Sequence, residues 1–359
     1  MDTQLALEFI RQGAINLMRK RPLAISLEVT HSCNANCKHC DKGGMIPGET
    51  LAPPERFGEI VRQLSPLVAQ ISGGEPLLRD DVFDIVREVK NWGHLPYIVF
   101  VTNAWLLTEQ NYLRLKEAGV DEFSISLDFP DERHDENRGI PGLYQHLSDT
   151  LPRLAAYGNC DITLISVIRR ETVPELQRLA EHAVLWNVKI NFSAYTSLRT
   201  GDSQKLVSGD ELRLLREQID SLIDFKRRTG RVFTSEYVLN RYYEFFVRGG
   251  YLPRCRAGFR SLVVNPDGRL APCAMKPVSF ASREELIAGF SRKNTCGGCY
   301  VSLRANTEKS VRRQLRDAWE SYRMLRSANH GKGQEPDFSP ERDWIPGQEN
   351  RREIGQKTF

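Results

Sequence analysis

Apolar positions along the chain follow two alternating rhythms. Short runs rich in β-branched and aromatic residues occur at Ile25 to Val29, Val68 to Ser72, Tyr97 to Val101, Glu122 to Leu127, Ile162 to Ile168 and Val188 to Phe192. Between them, apolar residues recur every three or four positions, the spacing of a helix with one buried face. These stretches lie near Pro54 to Leu64, Asp81 to Trp92, Glu109 to Ala118, Leu143 to Tyr157 and Val173 to Trp186. Six strand-then-helix units in succession predict a parallel sheet with right-handed crossovers. The fold class expected is α/β, an open, partial (β/α)6 TIM-like barrel whose chemistry sits at the carboxyl ends of its strands.

The pattern differs at both ends. Residues 3–19 read as an amphipathic helix with Leu7, Ile10, Ala14 and Leu17 on one face, and Pro22 ends it. Packing on the core is its expected role, with peripheral membrane association as the second reading. After about residue 200, a helix over Gly209 to Arg228 and an aromatic-rich helix over Glu236 to Val247 lead to two short runs, Leu262 to Val264 and Arg269 to Ala271. These flank Asn265-Pro266-Asp267-Gly268, a hairpin turn signal. A last helix carries Val311, Leu315, Trp319 and Tyr322 on one face, and hydrophobic residues are sparse from Ser327 onward, which predicts a disordered tail. The expected organisation is an N-terminal helix (1–22), the barrel (23–205), a helical linker with a small C-terminal domain (206–326) and the tail (327–359).

Fifty basic and forty-six acidic residues give a net charge of +4 over 359 residues, with no basic arm, so nucleic acid is not the expected partner. No apolar stretch approaches the roughly 18 to 20 residues of a membrane span, and Met1 to Arg21 lacks the apolar block of a signal peptide. A cytoplasmic protein is expected. Eight cysteines in a reducing compartment are poor disulfide candidates, and metal or cluster ligation becomes the better reading. Three are packed into Cys33 to Cys40, four stand at Cys255, Cys273, Cys296 and Cys299, and Cys160, alone, reads as a semi-buried free thiol.

Cys33-x3-Cys37-x2-Cys40 follows the first strand directly, which puts three thiolates on one loop at a strand's carboxyl end. Three ligands are one too few for a closed four-cysteine cluster, and a cluster held this way keeps one iron open for an exchangeable ligand. The alternative is a zinc site completed by His31 or His39. The spacing, the preceding strand and Gly73-Gly74-Glu75-Pro76 after the second strand resemble the radical S-adenosylmethionine (SAM) superfamily, over roughly residues 23–195.

That resemblance implies an enzyme in which SAM chelates the open iron of a 4Fe-4S cluster on Cys33, Cys37 and Cys40. One electron then cleaves its sulfonium to methionine and a 5'-deoxyadenosyl radical, which takes a hydrogen atom from the substrate. It also implies that Gly73, Gly74, Glu75 and Pro76 bind the methionine amino group, with paired glycines for close backbone approach and a carboxylate near the ammonium. Ser124-Ile125-Ser126-Leu127-Asp128 resembles the family's fourth strand, whose alternation puts polar side chains on one face toward the SAM ribose; Ser126 and Asp128 are the candidates. Arg138 and Arg169 are candidates for the SAM carboxylate, with a surface charge as the bland alternative for each. Asn103 joins them from Thr102-Asn103-Ala104, where relatives often have glycine last, and the family's glycine-rich fifth-strand motif is not recognisable in Leu164 to Arg170.

Cys255, then Gly268-x4-Cys273 and later Cys296-x2-Cys299, resembles the auxiliary-cluster region of SPASM and twitch radical SAM proteins. No cysteine follows Cys299, so one auxiliary 4Fe-4S cluster is implied, making two clusters in all, the second closed by four thiolates and suited to electron transfer. A four-cysteine zinc site is the competing reading. A second redox centre fits oxidative outcomes, dehydrogenation or new bond formation, on a metabolite or natural product. Only about 22 residues precede the first strand, fewer than an added leader-binding domain needs, which favours a small molecule over a peptide substrate. A flavodoxin- or ferredoxin-type electron donor is the implied partner. Readings of another class are an iron-sulfur electron carrier without SAM chemistry, which leaves Gly73 to Pro76 unexplained, and a zinc-bound interaction module.

Overall fold

A computed structural model describes residues 3–90, 93–314 and 316–317. The chain runs through α1 (Thr3–Met18), β1 (Ala24–Thr30), α2 (Pro54–Leu64), β2 (Val68–Gly73), α3 (Val82–Lys90), β3 (Tyr97–Thr102), α4 (Glu109–Ala118) and β4 (Glu122–Ser126). It continues through α5 (Arg133–Arg138), α6 (Leu143–Ala155), β5 (Ile162–Ile168), α7 (Leu176–Leu185) and β6 (Lys189–Ala194). Then follow α8 (Glu211–Thr229), α9 (Glu236–Val247), β7 (Ser261–Val264), β8 (Leu270–Ala271), α10 (Arg283–Gly289) and α11 (Ser302–Thr307). The six strands stand within two residues of their expected bounds. Where a single helix is expected over Val173 to Trp186, Pro174 sits in a 3-10 turn, Arg170–Glu175, and α7 starts after it.

One sheet holds every strand, in the order β6-β5-β4-β3-β2-β1-β7-β8. β1 to β6 are parallel, as the alternating pattern predicts. The hairpin after residue 260 is not apart from this sheet, because β7 pairs in parallel with β1, Ala24 opposite Ser261 and Leu27 opposite Val264. β8 returns antiparallel on its far side. α11 touches both β6 and β7, which closes the gap that the sheet's curvature leaves. An α/β partial barrel is the architecture.

The strands present two unlike faces. Ile25, Leu27, Ile71, Phe100, Ile125, Leu164 and Ile190 are fully buried against the helices. Register aligns Gln70 and Ser72 of β2, Val99 and Val101 of β3, Glu122, Ser124 and Ser126 of β4, and Lys189, Asn191 and Ser193 of β6 on the other face. Ser72, Ser124, Ser126 and Asn191 are half-buried there. A polar, partly open inner face is what a ligand-holding barrel needs, since polar groups buried without partners would cost stability.

α1 turns a different side inward from the one expected. Leu7 and Ile10 are 63% and 56% exposed and Ala14 is exposed, while Gly13 and Asn16 are buried. Asn16 marks the inward side: its amide donates to Pro22 O (2.9 Å) and Ser65 O (2.7 Å), and a buried amide turned from those partners would be left unsatisfied. Cys160, expected semi-buried, is exposed. Most of the last helix, with Leu315, Trp319 and Tyr322, and the tail from 327 lie outside the described residues. Among the described residues no helix is long and apolar enough to cross a membrane.

Candidate functional site

The loop after β1 folds back on its own start. The Glu49 carboxylate accepts from Thr30 Oγ1 (2.6 Å), the His31 amide (2.5 Å) and Ser32 Oγ (3.1 Å), and Cys33 N donates to Gly44 O (2.9 Å). This closure presents the three thiols together, and donors are aimed at each sulfur. Ala35 N lies 3.4 Å from Cys33 Sγ, Arg138 Nη1 3.5 Å from Cys37 Sγ, and both Lys42 N (3.4 Å) and Arg199 Nη1 (3.3 Å) near Cys40 Sγ. Burial pushes the Cys33 thiol up to about 11 and raises Cys37 as well, so both favour the protonated form, whose proton a coordinating metal would displace. All are free of disulfides. Three free thiols on one loop, each with a donor near its sulfur, suit an iron-sulfur cluster.

The histidine that a zinc site would need is engaged elsewhere. His39 Nδ1 meets Arg169 Nη1 at 2.8 Å, with burial pushing its pKa down to about 3, and His31 Nε2 meets Glu28 Oε2 at 2.7 Å. Among the described residues no three or more of His, Cys, Asp and Glu are grouped to hold a single metal ion.

The Gly73 to Pro76 turn packs directly against the cysteine loop. A Cβ on Gly73 would stand 2.0 Å from Thr30 O and one on Gly74 2.0 Å from Ser32 O, and Gly73 has φ +137°. The glycines are therefore required for close approach of one backbone to another. Glu75 is fully buried and its oxygens accept from Leu77 N (3.1 Å), Thr102 Oγ1 (2.7 Å) and Asn103 N (2.9 Å). It fastens the ends of β2 and β3 together. Asn103 in turn donates to Asn34 Oδ1 (2.8 Å) inside the cysteine loop. Ala104 adopts φ +63°, which explains why glycine suits that position. Pro76 is buried and opens a 3-10 turn.

Asp128 collects the remaining candidates around one carboxylate. It is fully buried, pairs with Arg138 Nη2 at 2.7 Å and accepts from Asn137 Nδ2 (2.8 Å) and Val167 N (3.0 Å). Arg169 Nη1 and His39 Nε2 lie 3.9 Å away. Burial alone would raise its pKa, but Arg138, His39 and Arg169 together hold it far below the carboxylate range. Arg138 and Arg169 are 7% and 2% exposed, so neither is a surface charge. Arg169 Nη2 also donates to Asn137 Oδ1 (2.5 Å). Ser126 stands half-buried on the inner face, beside this network in sequence.

The second cysteine group also converges. Cys255 N reaches Cys296 O (3.4 Å), and Asn294 ties them by donating to Cys255 O (2.9 Å) and accepting from Cys296 N (3.0 Å). Burial, then the charges of Cys255 and Cys273, push the Cys299 thiol up to about 12; burial and the Cys255 charge push Cys273 to about 11. Arg304, buried, donates to Cys299 O and to Leu252 O, holding this loop on the fold. Thr196 Oγ1 donates to Gly298 O (2.7 Å), joining it to the segment after β6. Cys255 precedes the amino end of β7, whereas Cys33 follows the carboxyl end of the neighbouring β1. Seven residues of β1 at about 3.3 Å each separate these two ends by roughly 20 Å.

Sequence reasoning missed Lys42 and Arg199, which lie at the Cys40 sulfur, and Glu28, which lies near both. Lys42 Nζ and Arg199 Nη2 lie 3.8 and 3.9 Å from Glu28, and Arg199 Nε is 3.2 Å from Asp41. A charged residue in the middle of an apolar strand was the available signal for Glu28. Arg199 has no local signal, since it arrives from the loop after β6.

The radical SAM superfamily model matches residues 27–183, the stretch carrying the cysteine loop and β1 to β5. An AdoMet-dependent heme synthase of Oleidesulfovibrio alaskensis is 28% identical over 68% of this chain, which spans about three fifths (61%) of that relative's length. A heme synthase of the same kind from Methanosarcina barkeri is 29% identical over 73% of this chain and 79% of its own. A probable GTP 3',8-cyclase of Pyrococcus horikoshii is 35% identical over 32% of this chain and 37% of its own. Among solved structures, Streptococcus suis SuiB bound to S-adenosylmethionine shares the fold with a TM-score of 0.57 at 17% identity, over 77% of this chain and 68% of its own. Native anSMEcpe with bound AdoMet and a peptide gives 0.56 at 17% identity, over 86% and 99%. The superfamily model over residues 27–183 and the relatives support a radical SAM superfamily member, for which SAM and a 4Fe-4S cluster are implied, and the solved structures share its fold.

Proposed function

We propose that this chain is a two-cluster, twitch-type radical SAM enzyme that oxidatively modifies a small molecule, by dehydrogenation or by forming a new bond. One observation supports the reading: besides the three-thiol loop after β1, a second group of four cysteines lies around the β7 and β8 hairpin and after α10, where Asn294 ties Cys255 to Cys296. Cys33, Cys37 and Cys40 would hold the SAM-binding cluster, and Cys255, Cys273, Cys296 and Cys299 an auxiliary one. When bound, the first cluster and SAM supply the 5'-deoxyadenosyl radical. The protein's share is positioning. Gly73, Gly74, Glu75 and Pro76 set the turn against the cysteine loop, and Asn103 fastens the two. Asp128 orients Arg138 and Arg169 beside Cys37 and His39, and Ser126 offers a hydroxyl on the inner face. The arginine charge there suits the SAM carboxylate.

Names of relatives favour a small molecule, since they are called heme synthases and GTP cyclases. The fold shared with SuiB, solved with its precursor peptide SuiA, supports a peptide as the second reading. After anaerobic reconstitution and reduction, the chain is expected to form 5'-deoxyadenosine from SAM and to hold about eight iron atoms. A count near four removes the auxiliary cluster. Brown, reduced protein that cleaves no SAM with candidate substrates of either kind rejects the enzyme reading and leaves an electron carrier.

A further inference from the structure

A cavity of about 490 Å³ lies between the end of α1 and the loop that precedes β7. Its volume is that of a small-molecule site. Lys20 and Arg21 come from one side, Arg254, Arg256 and Arg260 from the other, and no carboxylate lines it. Elsewhere in the chain buried arginines meet acids, as Arg79 meets Asp81 and Arg138 meets Asp128. These five cations form no ion pair among the described residues. The nearby Glu308 is taken by Arg304 Nε (2.8 Å) and the Arg256 amide (2.6 Å).

Five like charges around one cavity repel one another, a cost that a bound anion removes. Two further observations point to a ligand. Ser291 is 8% exposed, lines the cavity, and its Oγ has no hydrogen-bond partner; Arg260 Nη1 is buried with none either. Orphaned buried donors of this kind are uncommon in folded proteins. Arg254 also adopts φ +66°, a left-handed conformation costly for a residue with a side chain and typical of binding loops.

We propose that this cavity binds a small molecule through a multiply charged oxyanion group, a polyphosphate or a polycarboxylate. Guanidinium forks match both chemistries. Cys255 stands in the same wall, so the bound anion lies beside the second cysteine group. The inference goes beyond the proposed chemistry, since it holds equally for a ligand that is never oxidised.

The test is calorimetric titration of the full, reconstituted chain with tripolyphosphate and with citrate, at constant ionic strength set by chloride. Saturable binding of at least one is expected. The tighter of the two identifies the anion as phosphate or carboxylate. Affinity should fall about tenfold or more in Arg256→Ala and in Arg260→Ala, and stay unchanged in Arg213→Ala, a distant arginine 90% exposed. Arg254→Ala and Arg256→Ala, both at exposed positions, carry the test should Arg260→Ala not fold. Absence of saturable binding by either probe, or binding that persists in the Arg254→Ala/Arg256→Ala double variant, overturns the inference. Deoxyadenosine formation in the same samples separates the two readings. Anion binding without SAM cleavage rejects only the proposed chemistry, and SAM cleavage without anion binding rejects only this site.

Discussion

Arg138 pairs with Asp128 at 2.7 Å while its other terminal nitrogen lies 3.5 Å from the Cys37 sulfur. The ion pair is buried on both sides, so removing one partner strands a charge away from water. Breaking such a pair costs about 3 to 5 kcal/mol, whereas replacing both partners by apolar groups costs far less. Asp128→Asn should therefore lower the unfolding free energy in urea by about 3 kcal/mol and reduce retained iron, with Asp128→Leu/Arg138→Met regaining much of the stability. Equal stability of wild type and Asp128→Asn would show that the pair contributes nothing.

Glu75 differs from Asp128 in having no cationic partner among the described residues. Burial pushes its pKa up to about 7 against hydrogen bonds from Asn103, Thr102 and Leu77. The folded chain keeps the proton to about pH 7, while the unfolded chain releases it near 4.5. Between these values the unfolded state binds fewer protons, so the contribution of this group to stability falls as pH rises, and it is level above the window. The stability of wild type relative to Glu75→Gln should decline by roughly 3 kcal/mol across the full window. Urea unfolding of both chains from pH 5 to 8 measures most of that fall, and parallel curves would exclude a raised Glu75.

These two acids also show how far the sequence could be read. The strands were legible because each is a short apolar run, and the cysteine loop and the Gly73 to Pro76 turn because their spacing is local. What joins them was not. Alternation puts Ser126 and Asp128 on one face, yet the four side chains around Asp128 come from the cysteine loop, α5 and the residue after β5, and long-range partner choice leaves no local mark. Glu75 looks like a carboxylate offered to a ligand, whereas its oxygens are taken by β3 and its own turn. The same limit hid the parallel pairing of β7 with β1, since a hairpin signal fixes only the neighbour that follows it. In α1 the spacing of Leu7, Ile10 and Ala14 pointed to the wrong face because Asn16, a polar residue, anchors the helix.

The glycines of the turn give a steric prediction. An alanine at Gly74 would bring Cβ to 2.0 Å from Ser32 O and 2.5 Å from Ser32 C, atoms of the backbone that cannot rotate away. Gly158, with φ +74° and nothing within 4 Å of its Cβ position, is the control for backbone strain alone. Gly158→Ala should cost about 1 kcal/mol, and Gly74→Ala about 3 kcal/mol or more, with the cysteine loop displaced. Thermal unfolding of the two variants distinguishes them. A Gly74→Ala chain as stable as Gly158→Ala would mean that the turn and the loop separate easily.

The two cysteine groups make different predictions for one substitution each. Cys37 stands in the three-thiol loop with Arg138 on its sulfur, so Cys37→Ala should abolish deoxyadenosine formation, because two thiols with no histidine to spare cannot hold the first cluster. Cys296 is tied to Cys255 and Asn294 in the second group. Cys296→Ala should retain part of the SAM cleavage, lose about half of the iron and yield no oxidised product, since a substrate radical then lacks its electron acceptor. Chromatographic quantitation of deoxyadenosine alongside iron analysis reads both. Equal loss of cleavage in two folded variants would assign the second group to structure or to delivery of the first electron, and the oxidative reading would then fall.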